Sequence, residues 1–209
     1  MRIAPEGWPF IAVATLVCVV LALFRLWWPL ALWLPLTIWV VAFFRDPARP
    51  GPRGDGLVIA PADGRVVSVI PIDEPTFLGG PAIRISIFMN VFNVHVNRYP
   101  ADGTVAHREY TPGKFLNAAT EKASRENEQS SIGLETSRGR ILVRQIAGLV
   151  ARRIVTDHGA GTVVRQGERL GLIRFGSRVD VFVPTGARPL VAVGETTRAG
   201  QTIIAEWPR

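Results

Sequence analysis

The chain opens with two apolar runs and then changes character. Residues 8–24 form a stretch of 17 without a charge and residues 26–44 another of 19, with Arg25 alone between them. A helix needs about 20 apolar residues to cross a bilayer core, with about 17 as the lower limit. Both runs therefore predict helices, and residues 1–45 predict a hydrophobic membrane anchor. Residues 46–56 predict a linker, stiffened by Pro47, Pro50 and Pro52 and broken by Gly51, Gly54 and Gly56. From there to the end the pattern turns to short apolar runs at 57–60, 64–69, 83–88 and 104–110, separated by turn residues. Such spacing predicts a β-sandwich or barrel over residues 57–209. Segment 117–129 is polar, and reads equally as a helix or as an active-site loop.

A weak internal echo narrows the fold class. Residues 163–173 and 196–205 each place a glycine, Gly167 or Gly200, at the turn of a predicted hairpin with an apolar strand after it. The pattern is similar to the barrel-sandwich hybrid of lipoyl and biotinyl domains. The expected fold is thus mainly β, with an N-terminal helical membrane anchor. A carrier domain of that kind needs an exposed lysine at a hairpin turn. Nothing after Lys122 is lysine, which argues against that function.

A cleaved signal peptide is a poor reading of the N-terminus, because the apolar region is too long and has no small-residue cleavage site. Two readings stay open. A helical hairpin would put Arg2 on the same side as Arg45, Arg49 and Arg53, in line with the positive-inside rule. A monotopic segment that enters one leaflet and returns is favoured by Pro29 and Pro35. Trp8, Trp27, Trp28 and Trp33 suit an interface in either case.

Charge supports the same surface. The formal net charge is +7 and the isoelectric point near 10.9, and basic residues just past an apolar anchor gain from anionic lipid. No nucleic-acid motif accompanies the charge. Cys18 is the only cysteine, so intrachain disulfides and cysteine-based metal sites are excluded. His95, His107 and His158 lack metal-ligand spacing, and no metal is expected.

Candidate chemistry gathers around Gly176-Ser177, which sits between two strand-like apolar runs. His95 lies between Val94 and Val96, where strand alternation turns its side chain away from theirs. Together with these stand Ala62-Asp63-Gly64, Asn93-Val94-His95-Val96-Asn97-Arg98, Pro112-Gly113-Lys114-Phe115-Leu116-Asn117, Gln145-Ile146-Ala147-Gly148 and Ala151-Arg152-Arg153-Ile154. In this order the series resembles the short form of the phosphatidylserine decarboxylase family, from roughly Phe44 to the C-terminus.

The resemblance implies a self-cleaving proenzyme. Ser177 would attack the Gly176 carbonyl, splitting the chain into β (1–176) and α (177–209) pieces that stay together as a heterodimer. Ser177 would end as a covalent pyruvoyl group. His95 would be the base, with Asp63 orienting it as the acid of a serine triad does. Lys114, Asn117 and Arg178 are the expected substrate-binding residues, with Arg98 and Arg152 as further cations. The reaction implied is decarboxylation of phosphatidylserine to phosphatidylethanolamine at the cell membrane, with the catalytic domain on the cytoplasmic side.

Removing carbon dioxide from an amino acid needs an electron sink, usually pyridoxal phosphate on a lysine. Lys114 and Lys122 are the only lysines, no glycine-rich phosphate loop is present, and pyridoxal phosphate is not expected. Higher homo-oligomers are compatible with the sequence. The competing reading is a membrane-anchored non-catalytic β-domain, or an uncleaved inactive relative.

Overall fold

The apolar runs fold as helices α1 (Trp8–Leu23) and α2 (Trp27–Phe43), seen in a computed structural model that describes residues 2–149, 153–174 and 176–208. Arg25 at the turn between them takes a φ of 58°, a left-handed conformation few non-glycine residues adopt. The helices pair as a hairpin. The Trp33 indole N–H donates to the Ala14 carbonyl at 3.1 Å, and Cys18 Sγ lies 3.3 Å from Thr37 Oγ1. Strands β1 (Arg2–Ile3) and β2 (Arg45–Asp46) pair antiparallel across the open end, with Arg2 opposite Asp46 and Ile3 opposite Arg45. Val13, Leu16, Leu32 and Ile38 are exposed, and apolar faces all round a helix mark one built for apolar surroundings. The segment Pro5–Leu23 is long and apolar enough to cross a membrane, whereas Trp27–Phe43 is shorter.

The chain divides into two compact units, Met1–Ala48 and Arg49–Arg209. The second contains strands β3 (Leu57–Ile59), β4 (Gly64–Glu74), β5 (Gly80–Met89), β6 (Val96–Arg98), β7 (Gly103–Thr111), β8 (Gln129–Thr136), β9 (Gly139–Ala147) and β10 (Ile154–Thr156). After these come β11 (Val163–Val164), β12 (Arg169–Ile173), β13 (Ser177–Pro184), β14 (Arg188–Pro189), β15 (Thr196–Thr197) and β16 (Ile203–Glu206). Eight of them form one antiparallel sheet in the order β11-β7-β8-β9-β13-β5-β4-β15, and two three-stranded sheets, β10-β12-β6 and β14-β16-β3, complete the fold. Segment 117–129 is mostly loop, with one helical turn, α3 (Ala123–Glu126).

The architecture is the mainly β, barrel-sandwich type, and its internal symmetry is visible in hydrogen bonds. Pro61-Ala62-Asp63-Gly64 recurs as Pro100-Ala101-Asp102-Gly103. Each copy receives one glycine-turn hairpin: Gly200 N–H donates to Ala60 O and Gly167 N–H to Tyr99 O, both at 2.8 Å. Gly200 and Gly167 have φ of 76° and 83°, which a side chain would strain. The two aspartates act alike. Asp63 Oδ1 accepts the Ala199 N–H at 2.8 Å, and Asp102 Oδ1 accepts the Gln166 N–H at 2.7 Å.

Strand β13 runs through the middle of the large sheet, between β5 and β9. Its inner residues Val179, Val181 and Val183 join Ile85, Ile87, Ile141 and Val143 in the main core. Its outer residues Arg178, Asp180 and Phe182 are also buried. Phe77 and Leu78 pack against Phe182, while Arg178 is covered by the loop that carries α3. Glu74 fixes the turn bearing Phe77 and Leu78 by accepting the N–H groups of Thr76, Phe77 and Leu78. Burial works to raise its pKa, but these hydrogen bonds outweigh burial and the net shift is downward.

Candidate active site

Three neighbouring strands meet at one edge of the large sheet. Strand β5 stops at Met89, β9 stops at Ala147, and β13 begins at Ser177, directly opposite both. Gly176 precedes it with a φ of 65°, the left-handed region that favours glycine. Its N–H donates to His95 Nε2 at 3.3 Å. A backbone N–H can only donate, so Nε2 is the unprotonated ring nitrogen. Nδ1 then carries the hydrogen and gives it to the Asn93 carbonyl at 3.0 Å. The Nε2 lone pair thus accepts the N–H of Gly176, the residue immediately before Ser177, with His95 and Ser177 both fully buried.

A chain of polar side chains runs inward from this point. The Ser177 hydroxyl donates to Met89 Sδ at 3.5 Å, and Asn97 Nδ2 reaches the same sulfur at 3.6 Å. Asn97 Oδ1 accepts from Gln145 Nε2 at 2.8 Å, and Gln145 Oε1 accepts from Thr156 Oγ1 at 3.0 Å. Ser130 Oγ lies 3.0 Å from Thr156 Oγ1. Each buried polar group in the chain has a partner, which fixes the rotamers around Ser177.

Gly148 and the loop at residues 113–128 close the other side. A Cβ on Gly148 would stand 2.1 Å from the Gly176 carbonyl oxygen, with Ala118 Cβ also in contact at 3.4 Å. The absence of that side chain lets the Gly176 carbonyl approach so closely. Asn127 ties the loop to the sheet. Its amide donates to Leu116 O at 2.8 Å and to Ala147 O at 2.7 Å, and its Oδ1 accepts the Leu116 N–H at 2.9 Å.

The expected site residues do not all converge. Ser177, Gly176 and His95 do. Asp63 does not reach His95: its Oδ2 takes Arg49 at 2.6 Å and its Oδ1 takes the Ala199 N–H. The Pro-Ala-Asp-Gly turn presents that carboxylate to Arg49 and a neighbouring hairpin. Arg178 is likewise engaged within the protein. Its guanidinium is buried in a bidentate pair with Asp180, at 2.8 Å on both arms, and donates to Ala118 O, Thr120 O and Ser124 Oγ. That uses its donors on the loop rather than on a ligand.

The other candidates are dispersed. Lys114 is exposed and pairs with Glu126 at 2.9 Å. Asn117 Oδ1 accepts the Ala119 N–H at 3.0 Å and caps a turn of the loop. Arg98 donates to Gly167 O at 3.1 Å. His107 stacks on Phe77, and His158 meets the Tyr99 hydroxyl at 3.2 Å. Ala151, Arg152 and Phe175 lie outside the described residues. Met89, Thr156 and Ser130 belong to the site although no sequence motif marked them. Asn97, Gln145 and Gly148 stood in recognised motifs without an assigned role.

Known proteins match this chain over nearly its full length. The family profile described as phosphatidylserine decarboxylase matches residues 36–205. The chain is 50% identical over 208 residues to the phosphatidylserine decarboxylase proenzyme of Symbiobacterium thermophilum, covering 99% of this chain and 96% of that one. It is 50% identical over 205 residues to the proenzyme of the same name from Paraburkholderia xenovorans, covering 98% and 96%. With that of Paraburkholderia phymatum the identity is 51% over 208 residues, covering 98% and 96%. A profile covering residues 36–205 and relatives about 50% identical over nearly the whole length show it plainly: the chain belongs to the phosphatidylserine decarboxylase family.

Proposed function

We propose that this protein is a membrane-bound proenzyme that cuts itself between Gly176 and Ser177 and then decarboxylates phosphatidylserine to phosphatidylethanolamine. The observation that carries the proposal is the Gly176-Ser177 linkage, with Ser177 fully buried, the glycine left-handed and the glycine N–H on His95 Nε2. A serine hydroxyl is a weak nucleophile until a base removes its proton. His95 Nε2, which meets the N–H of the preceding residue Gly176, is the proposed base. Rotation of Ser177 Oγ from Met89 Sδ toward His95 would bring it to attack the Gly176 carbonyl carbon.

The Gly176 C–N bond then breaks and an ester to Ser177 Oγ forms. Loss of the Ser177 Cα proton expels the Gly176 carboxylate and leaves dehydroalanine. Water enters, ammonia leaves, and a pyruvoyl group remains at the head of the α chain. The site fits this product, since residue 177 is held by β5 on one side and β9 on the other while residue 176 ends its chain. The pyruvoyl carbonyl supplies the electron sink that captures the substrate amine and stabilises the charge left by carbon dioxide. His95 Nε2, in the same position, holds a proton for the substrate carbon.

The two pieces remain joined after cleavage. Residues 177–209 carry β13, β14, β15 and β16, and β13 is paired along its length with β5 and along most of it with β9. The proposed product is therefore a βα heterodimer held by sheet hydrogen bonds and a shared core. Residues 1–45 anchor it, and the basic residues Arg45, Arg49 and Arg53 favour the cytoplasmic side.

The test is release of labelled carbon dioxide from carboxyl-labelled phosphatidylserine by the purified full chain in mixed micelles. Wild type should release it, and Ser177→Ala should not. Activity in Ser177→Ala would end the pyruvoyl reading, and no release by fully processed wild type would end the substrate reading. For His95→Gln, loss of processing, turnover or both is expected; normal behaviour in both would remove His95 from its role.

A further inference from the structure

Loops leaving β5 and β9 flank the first residues of β13, because those strands are its two neighbours in the sheet. The β5 loop touches Gly176 through Val91, 3.9 Å from a Cβ built there, and the β9 loop touches it through Gly148. The next residue in each loop is large, apolar and turned to solvent: Phe92 and Leu149 are each 71% exposed. Single exposed apolar side chains need no explanation, but a pair of them bracketing a buried reactive linkage does. Around the same end, Lys114, Lys122, Arg125 and Arg153 are exposed. Lys114 and Lys122 share one carboxylate, Glu126. The backbone of Arg153 is fixed close to Gly176 by the Arg174 N–H at 3.2 Å.

We propose that Phe92 and Leu149 form a docking rim that seats the catalytic unit on an anionic bilayer, with the surrounding lysines and arginines against lipid headgroups. The inference rests on the reading that the substrate is a bilayer lipid, and deepens it. Ser177 is fully buried, so a headgroup must be lifted to it while its acyl chains stay in hydrocarbon. Two apolar side chains at the mouth let the unit enter the interface without a gap of water. Basic residues beside them add attraction to anionic headgroups, the combination that holds surface-bound proteins. Tethering by residues 1–45 keeps the unit nearby, and the rim orients it.

An environment-sensitive dye at position 149 tests this in the full chain (Cys18→Ala, Leu149→Cys), reconstituted in phosphatidylcholine–phosphatidylserine vesicles. Its emission should shift to the blue and be quenched by acyl chains brominated near the headgroup. The same dye at the distant Val163→Cys should stay water-like. Water-like emission at position 149 overturns the proposal, as does a shift that follows protein concentration rather than lipid, which would mark a second copy of the chain as occupant. Quenching equal in pure phosphatidylcholine removes the anionic preference. These readouts do not depend on catalysis, so they stand apart from failure of the proposed reaction.

Activity gives a second arm. Phe92→Ser with Leu149→Ser should lower turnover of vesicle phosphatidylserine about tenfold through lost apolar contact. Turnover of a water-soluble short-chain analogue and self-cleavage should stay within about twofold of wild type. Equal losses on both substrates, or no loss on vesicles, contradict the rim.

Discussion

Gly148→Ala adds a single methyl group, and the structure predicts a large effect on self-cleavage. The new Cβ would lie 2.1 Å from the Gly176 carbonyl oxygen and 2.9 Å from its carbon, where ordinary contact begins at 3.4 Å. The obstructing atoms are backbone, so no side chain can swing aside. Relief requires a displacement of about 1.3 Å, the difference between 3.4 and 2.1 Å, in a core that is close-packed. Misplacing a reacting group by about 1 Å can cost on the order of 10²-fold in rate, or about 2.7 kcal/mol of barrier. The assay is the time course of precursor conversion after synthesis, read by denaturing gel or mass. Circular dichroism and thermal melting show that the variant has folded. Gly148→Ala should convert about a hundredfold more slowly than wild type. A folded variant that converts at the wild-type rate would refute the claim that Gly148 places the Gly176 carbonyl for attack.

Further predictions follow from the partners the structure gives Asp63, Arg178 and Glu74. Asp63→Asn and Asp102→Asn should lower stability by similar amounts, about 1.5–3 kcal/mol each for hydrogen bonds to a charged group; a change in processing from Asp63→Asn without loss of stability would restore Asp63 to the chemistry. Arg178→Met should destabilise by roughly 3–5 kcal/mol, since it strands the fully buried Asp180 carboxylate, and protease should cut within residues 117–126 sooner; an unchanged melting temperature contradicts this. The lowered pKa of Glu74 means its stabilisation is complete above the ordinary carboxylate pKa and is lost as pH falls through the lower folded value. The gap in melting temperature between wild type and Glu74→Gln should therefore be largest near neutrality and shrink in acid, and a gap that widens in acid would reverse the assignment.

Much of the fold was legible because it depends on patterns along the chain. The apolar runs at 8–24 and 26–44 were long enough to stand out, and Gly167 and Gly200 marked hairpins that the structure confirms as equivalent. The Pro-Ala-Asp-Gly repeat was equally visible, and would have identified Asp63 as half of a matched structural pair with Asp102. What stayed hidden was side-chain partnership across the sheet. Alternation in β13 alone suggests an outward Arg178, but not that residues 118–124 fold over it and take its donors. Only strands β4 and β5 separate Asp63 from His95 in sequence, yet their neighbours direct them to different hydrogen bonds. Met89 looks like any core methionine until β5 and β13 are placed in register and its sulfur meets the Ser177 hydroxyl.

The central claim is that the chain cuts itself before Ser177, and the most direct test is the intact mass of the purified protein under denaturing conditions. The predicted result is two species, residues 1–176 and a 33-residue piece from 177 to 209, the smaller blocked at its N-terminus by a pyruvoyl group. A single mass for the whole chain, in protein shown to be folded, would contradict it.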